Sequence, residues 1–268
     1  MKDLKIRAFS GLLYVALLVV SIFQGPEFFY PVLFVFSGLA TIEFFRLIQL
    51  RFILPLLLLA GIYYSHYKSL LPATAVQFML GYALLCCLVF TARLHRPFPM
   101  NGRLLKRVLG YGYVLGSSFF IIALYGSQAT FEPILMLLVY ALIWVNNSAA
   151  YFVGSQLGKT PLFPSISPKK SWEGFWGGQF FCVLFGLLTY FTYWPSEYSP
   201  ITILLLSVLI PSLATYGDLI QSQLKRIAGV KDSGSLLPGH GGFYDRMDSI
   251  IYTAPFVYLI QEIIHYVS

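Results

Sequence analysis

Residues 200–222 read PITILLLSVLIPSLATYGDLIQS, and this stretch decides the fold. No Asp, Glu, Lys or Arg occurs between Pro200 and Gly217. A helix needs about 20 mostly apolar residues to cross the bilayer core, whereas a helix on a water-soluble surface would carry a charged face. The stretch therefore reads as a membrane span. Asp218 falls at or just inside its boundary, where an ionisable side chain is expensive and usually marks a site. Ser222 and Lys225 follow Asp218 at i+4 and i+7, on the same helical face. Gly229 is the expected end of that helix.

Outward from this span, apolar runs between polar breaks give about nine such segments. They lie near 8–24, 28–46, 52–66, 71–92, 107–126, 132–154, 173–194, 200–222 and 249–266, the third being short. The breaks carry turn chemistry, as in Gln24-Gly25-Pro26-Glu27, Arg96-Pro97-Phe98-Pro99 and Trp194-Pro195-Ser196. Composition agrees: 57% of residues are apolar and 11% charged, against about 25% charged in soluble domains. Too little charge remains to cover a water-soluble body. The expected fold is an all-α polytopic integral membrane protein. The N-terminus resembles a signal peptide, but its apolar run lacks a small-residue cleavage site, so a retained first helix is expected. Cys86, Cys87 and Cys182 sit in apolar runs without metal-site spacing and read as packing residues.

The formal net charge of +7 could suggest nucleic-acid binding, but the cations are distributed by side of the membrane. If every span crosses, 17 of the 18 Lys and Arg fall on one face, with Lys68 alone opposite. The positive-inside rule then places the N-terminus on the cytoplasmic side, and anionic lipid headgroups reinforce the bias. No nucleic-acid partner is needed. Tyr and Phe clusters such as Phe28-Phe29-Tyr30 and Tyr63-Tyr64 read as interfacial belts, and His66, His95 and His265 as isolated interfacial residues.

The dense polar chemistry lies on the cytoplasmic side, in 146–174 and 217–248. In the second stretch Asp218, Asp232, Asp245 and Asp248 meet Lys225, Arg226, Lys231 and Arg246 around a glycine-rich turn. Asp245 and Asp248, at i and i+3, share a face at the mouth of the last span. Carboxylates of this kind suit Mg²⁺, which is held by one or two of them plus substrate phosphates. Gly239, Gly241 and Gly242 let backbone N–H groups approach an anion, while cations neutralise charge on transferring phosphate oxygens. A loop that only fixed topology would need the cations but not four acids. The parts point to phosphoryl or nucleotidyl transfer. Residues 1–128 are expected to form N-terminal transmembrane helices, and 129–268 a catalytic transmembrane region with two cytoplasmic loops.

The run from Ser222 through Leu224-Lys225-Arg226, Lys231-Asp232 and Leu237-Pro238-Gly239-His240-Gly241-Gly242-Phe243 to Asp245-Arg246-Met247-Asp248 resembles the signature of the CDP-diacylglycerol synthases, or phosphatidate cytidylyltransferases. A second block, Ile166-Ser167-Pro168-Lys169-Lys170-Ser171-Trp172-Glu173-Gly174, is similar to that family's other cytoplasmic loop. The match covers roughly the C-terminal half, and Glu43-Phe44-Phe45-Arg46 also resembles the family. The resemblance implies CTP and phosphatidic acid as substrates, CDP-diacylglycerol and pyrophosphate as products, a divalent metal with a monovalent cation such as K⁺, and a homodimer in the bilayer. It implies metal or catalytic roles for Asp218, Asp245 and Asp248, and phosphate contacts for Lys225, Arg226, Lys231 and Arg246, with Lys169 and Lys170 contributing from the neighbouring loop. Ser222, Asp232, Gly241 and Gly242 fall within the same substrate-binding signature. The resemblance departs at Asn147, where the family usually has Asp, and at Ser155, where a basic residue is common.

His240 is a candidate acid/base or loop-holding residue. Glu43 is expected to pair with Arg46 at i, i+3 rather than reach the polar region. Glu173, after Ser171, suits the first turn of a helix. A bacterial inner membrane is the expected compartment, with the site facing the cytoplasm. The competing class is an ion-coupled transporter, but the acids crowd on one side and no internal repeat is visible. Two further readings are a relative acting on another lipid phosphate and a non-catalytic relative.

Overall fold

In the computed structural model, residues 2–96, 98, 100, 102–126, 131–193, 198–236 and 241–267 are described, and helices cover each expected span. They are α1 (Lys2–Gln24), α2 (Pro26–Leu47), α3 (Ile53–Tyr67), α4 (Ala73–His95), α5 (Arg103–Gly110), α6 (Ser117–Tyr125), α7 (Pro133–Leu157), α8 (Trp172–Tyr193), α9 (Pro200–Ala228) and α10 (Tyr244–Val267). A π-helical segment, Tyr111–Gly116, joins α5 to α6 in one rod. Among the described residues, six helices are long and apolar enough to cross a membrane: α2, α4, the rod Arg103–Tyr125, α7, α8 and α9. The remaining expected spans are shorter or more polar. Ser10–Gln24 of α1 and all of α3 are short, and α10 opens on Asp245, Arg246 and Asp248 and closes with Glu262 and His265.

The helix ends follow local chemistry. Gly25, at φ +99°, separates α1 from α2, whose first residue is Pro26. Ser199 Oγ accepts the Thr202 N–H at 3.1 Å and caps α9. At the other end Gly229 takes the left-handed conformation, φ +70°. One sheet interrupts the expected all-helical pattern among the described residues. It is the antiparallel hairpin β1 (Pro161–Phe163) and β2 (Ser167–Ser171), pairing Pro161 with Ser171 and Phe163 with Ser167. Pro161, Pro164 and Pro168 exclude a helix there, while strands this short give no alternation to read.

Within lipid, apolar surface alone does not drive helices together, so close packing and polar contacts must. Residues 247–255 of α10 are buried without a break, as expected for a helix enclosed on all sides. Its neighbours include α2, α4, α6 and α9. Tyr252 of α10 shares a 2.6 Å hydrogen bond with Thr91 of α4. Arg93 of α4 donates to Gln223 of α9, whose amide returns a bond to the Arg93 carbonyl at 3.1 Å. Phe44 of α2 lies against Tyr113 and Tyr244, with ring centroids 5.8 and 5.5 Å away. The expected aromatic belts are corrected in part. Phe29, Tyr30 and Tyr63 are buried, and Tyr63 and Ser37 share a 2.9 Å hydrogen bond. His66 is likewise not an isolated interfacial residue: its ring packs edge-on to Phe119, and Nε2 lies 3.1 Å from the Gly126 carbonyl.

Candidate active site

The C-terminal half of α9 presents Asp218, Gln221 and Lys225 to one cavity of about 750 Å³. The spacing i, i+3, i+7 puts them on one face, while a step of one residue turns about 100° away from it. The cavity is completed by Asn147 of α7, the hairpin's Lys169 and Lys170, the start of α8, Asp232, and Asp245, Arg246 and Asp248 at the mouth of α10. Two ion pairs lace it. Lys170 Nζ lies 2.8 Å from Asp218 Oδ2, and Lys225 Nζ lies 2.7 Å from Asp245 Oδ1. Ser222 stands behind the first pair, its hydroxyl donating to Asp218 Oδ1 at 3.2 Å.

Asp245 is the most heavily engaged carboxylate. Its Oδ1 accepts from Lys225 and from the Gln221 amide. Its Oδ2 accepts from the N–H groups of Gly242 at 2.8 Å and Ser233 at 2.9 Å, and contacts the Ser233 hydroxyl at 3.0 Å. Burial would push this carboxyl up, but the Lys225 ammonium and the Gly242 and Ser233 amides outweigh it and hold it below the usual carboxylate range. Gly241, at φ +81°, allows the turn that brings the Gly242 N–H to Asp245. Asp248 is different. Its Oδ1 accepts from the N–H and hydroxyl of the adjacent Ser249, and burial, followed by the negative charge of Asp218, pushes its carboxyl up.

The expected Glu43–Arg46 pair is corrected. Glu43 is 2% exposed and turns inward, where Oε2 accepts from Ser233 Oγ at 2.8 Å and from the Tyr244 N–H at 2.9 Å. Arg46 instead lies over the Phe52 ring, 5.1 Å from its centroid. Glu173 holds the base of the hairpin, accepting from the Lys159 and Thr160 N–H groups at 3.1 and 3.2 Å. Ser171 Oγ caps α8 by accepting the Gly174 N–H at 3.1 Å.

Of the residues expected from sequence, Asn147, Lys169, Lys170, Asp218, Lys225, Asp232, Asp245, Arg246 and Asp248 line the cavity. Arg226 turns outward toward the Val230 carbonyl at 3.5 Å, and exposed Lys231 is not part of the wall. The Gly242 N–H is taken by Asp245 rather than presented to an anion. His240, with Leu237, Pro238 and Gly239, lies outside the described residues. Gln221 and Ser233 were missed; Gln221 is three residues after Asp218 and four before Lys225, a position that its spacing alone would have flagged. Among the described residues no three His, Cys, Asp or Glu side chains gather closely enough to hold a metal ion by themselves.

A bundle of membrane-length helices whose lysines and carboxylates converge from α9, α10 and a hairpin on one cavity defines a class: helical membrane proteins with a charged cavity among their helix ends. The profile of the Cytidylyltransferase family matches residues 5–264, nearly the whole chain. The chain belongs to that family. It is similar to the phosphatidate cytidylyltransferase of Haemophilus influenzae, with 33% identity over 206 residues, 74% of this chain and 70% of the relative. The phosphatidate cytidylyltransferases of Aquifex aeolicus and Bacillus subtilis are 43% and 45% identical over 119 residues, 44% of this chain in each case. Those two matches span 44% of each relative's own length.

Proposed function

We propose that this protein is a phosphatidate cytidylyltransferase, joining CTP and phosphatidate into CDP-diacylglycerol with release of pyrophosphate. The observation that carries the reading is the convergence of Lys170, Lys225, Arg246, Asp218 and Asp248 on one cavity. In the reaction a phosphate oxygen of phosphatidate attacks the α-phosphorus of CTP, and the bond to the departing pyrophosphate breaks. That oxygen is already largely ionised near neutral pH, so no strong protein base is required. Positioning and electrostatic stabilisation then carry the rate.

Lys170 and Lys225 can exchange their carboxylate partners for phosphate oxygens when substrate enters, and Arg246 adds a third cation at the cavity's edge. Asp218 and Asp248 fit Mg²⁺. They are hard oxygen donors facing one cavity, and the pressure of Asp218 on buried Asp248 is what a bound cation relieves. Two carboxylates with substrate phosphates completing the shell is a usual arrangement for this ion. Bound there, Mg²⁺ would supply neutralising charge to the phosphates. Asp245, saturated by protein donors, serves better as the clamp that sets Lys225 and the Ser233–Gly242 turn than as a ligand. The basic bias supports a cytoplasmic site and N-terminus with about nine spans, and the bacterial relatives support an inner-membrane location.

The test is purified protein in detergent with phosphatidate, labelled CTP and Mg²⁺. CDP-lipid and pyrophosphate should form in equal amounts. No product across several metals and lipid phosphates would sink the reading.

A further inference from the structure

Beside the main cavity lies a second, of about 160 Å³, between α1, α7 and α10. The two share Asn147, Asp245, Arg246 and Asp248, so they meet at the charged mouth of α10. Away from that junction their walls differ. Among the described residues the smaller cavity has no lysine in its wall; it is bounded by Val15, Ile143, Trp144 and Ile250 with the rings of Tyr14 and Tyr140. Those two phenols are 7% and 2% exposed, and among the described residues neither hydroxyl has a hydrogen-bond partner. A buried hydroxyl without a partner is a destabilising arrangement that native structures rarely keep.

A ligand that relieves both phenols must bring acceptor oxygens into an apolar slot and carry an anionic group as far as Arg246. The slot is also smaller than the roughly 300–1,000 Å³ that houses a whole small ligand, so it fits one part of a larger molecule. We propose that this cavity seats the ester-linked glycerol backbone of the phospholipid substrate, with Tyr14 and Tyr140 donating to its ester carbonyls. The nucleotide then has the larger, lysine-lined cavity, and the two substrates meet at Arg246 and Asp248. The acyl chains leave past α1, where Leu12 and Leu13 are 68% and 57% exposed. This inference rests on the phosphatidate reading above and adds which residues recognise the lipid.

The experiment compares wild type, Tyr14→Phe and Tyr140→Phe in mixed micelles, using diacyl phosphatidate and a dialkyl ether analogue that lacks the carbonyls. Each variant should raise the KM for diacyl phosphatidate by about two- to tenfold, the worth of one hydrogen bond, and leave the KM for CTP unchanged. Wild type should show a comparable rise on the dialkyl lipid, where the Phe variants should add nothing further. Val15→Trp, which fills the slot and keeps both tyrosines, should also raise only the lipid KM. An unchanged phosphatidate KM, an equal rise for CTP, or variants that penalise both lipids alike would overturn the proposal. Thermal stabilisation by short-chain phosphatidate alone separates it from the catalytic reading. If wild type makes no CDP-lipid, stabilisation that shrinks in the Phe variants still upholds the lipid slot, and stabilisation equal in all three, or absent, refutes it.

Discussion

Glu43 Oε2 on α2 accepts the main-chain N–H of Tyr244, the first residue of α10, at 2.9 Å. The same oxygen receives the Ser233 hydroxyl, which also touches Asp245. One buried carboxylate of the N-terminal helices thus fixes both the start of α10 and the loop that carries Asp245's donors. Replacing it by Ala strands the helix-terminal N–H of Tyr244, at about 1–3 kcal/mol for an unpaired group, and leaves the Ser233 hydroxyl to Asp245 alone. Glu43→Ala should lower the melting temperature in detergent and reduce CDP-lipid formation about tenfold or more, whereas Arg46→Ala should change both little. Equal effects of the two substitutions would restore the Glu43–Arg46 pair.

Lys225 and Asp245 form an ion pair whose side chains are 13% and 6% exposed. Removing one partner of such a pair leaves an uncompensated charge, at about 3–5 kcal/mol. Lys225→Met should therefore destabilise the protein more than the double variant Lys225→Met/Asp245→Asn, although both should lose turnover. Strictly additive losses of melting temperature in this cycle would show that the two groups do not depend on each other.

The membrane helices were legible because bilayer thickness fixes the length of an apolar run, as in Pro200–Gly217. The α9 face was legible because Asp218, Ser222 and Lys225 obey one helical period. The same period, applied one residue further, would have turned Arg226 away from the cavity; its charge was read without its angle. Glu43 was misjudged because its partners, Ser233 and Tyr244, lie 190 and 201 residues away, and local spacing offers only Arg46. The hairpin at 161–171 escaped because three prolines and a three-residue strand leave no alternation to detect.

Asp248 stands one turn into α10, ahead of the expected span 249–266, and burial with the charge of Asp218 pushes its carboxyl up. The folded state then holds a proton at pH values where the unfolded chain has released it. That contribution to stability is present below the ordinary carboxylate range and is lost as pH rises through the raised value. In chelator-treated protein, the stability of wild type relative to Asp248→Asn should fall as pH rises from about 4 toward neutrality. Added Mg²⁺ should oppose that fall in wild type alone, because carboxylate ligands bind metal in their ionised form. Parallel melting curves for the two proteins at every pH, with and without Mg²⁺, would refute the assignment.

Gly217 precedes Asp218 where α9 meets α10. A Cβ there would lie 2.6 Å from the Asp248 carbonyl oxygen and 3.0 Å from the Ser249 Cα, both main-chain atoms that cannot rotate away. Gly217→Ala should push the two helices apart, with overpacking worth about 1–3 kcal/mol, and separate Asp218 from Asp248. The expected readout is a higher Mg²⁺ requirement and lower turnover, although no polar group has been altered. Gly229→Ala, where a Cβ meets nothing within 4 Å but φ is +70°, should reduce stability without shifting the Mg²⁺ requirement.

Asn146 and Asn147 are adjacent in α7 and both line the larger cavity, but Asn146 is held among helix contacts while Asn147 is open. Asn146 is 2% exposed and donates to the Pro211 carbonyl and the Thr215 hydroxyl, each at 3.4 Å. Asn147 is exposed and lines both cavities beside Arg246 and Asp248. An amide there offers an oxygen but no negative charge, so a carboxylate at 147 should strengthen cation binding where one at 146 would bury a charge among helix contacts. Asn147→Asp should lower the Mg²⁺ concentration for half-maximal activity several-fold, while Asn146→Asp should mainly lower the melting temperature. A Mg²⁺ titration unchanged by Asn147→Asp would place the metal out of reach of residue 147 and leave Asp218 and Asp248 as its protein ligands.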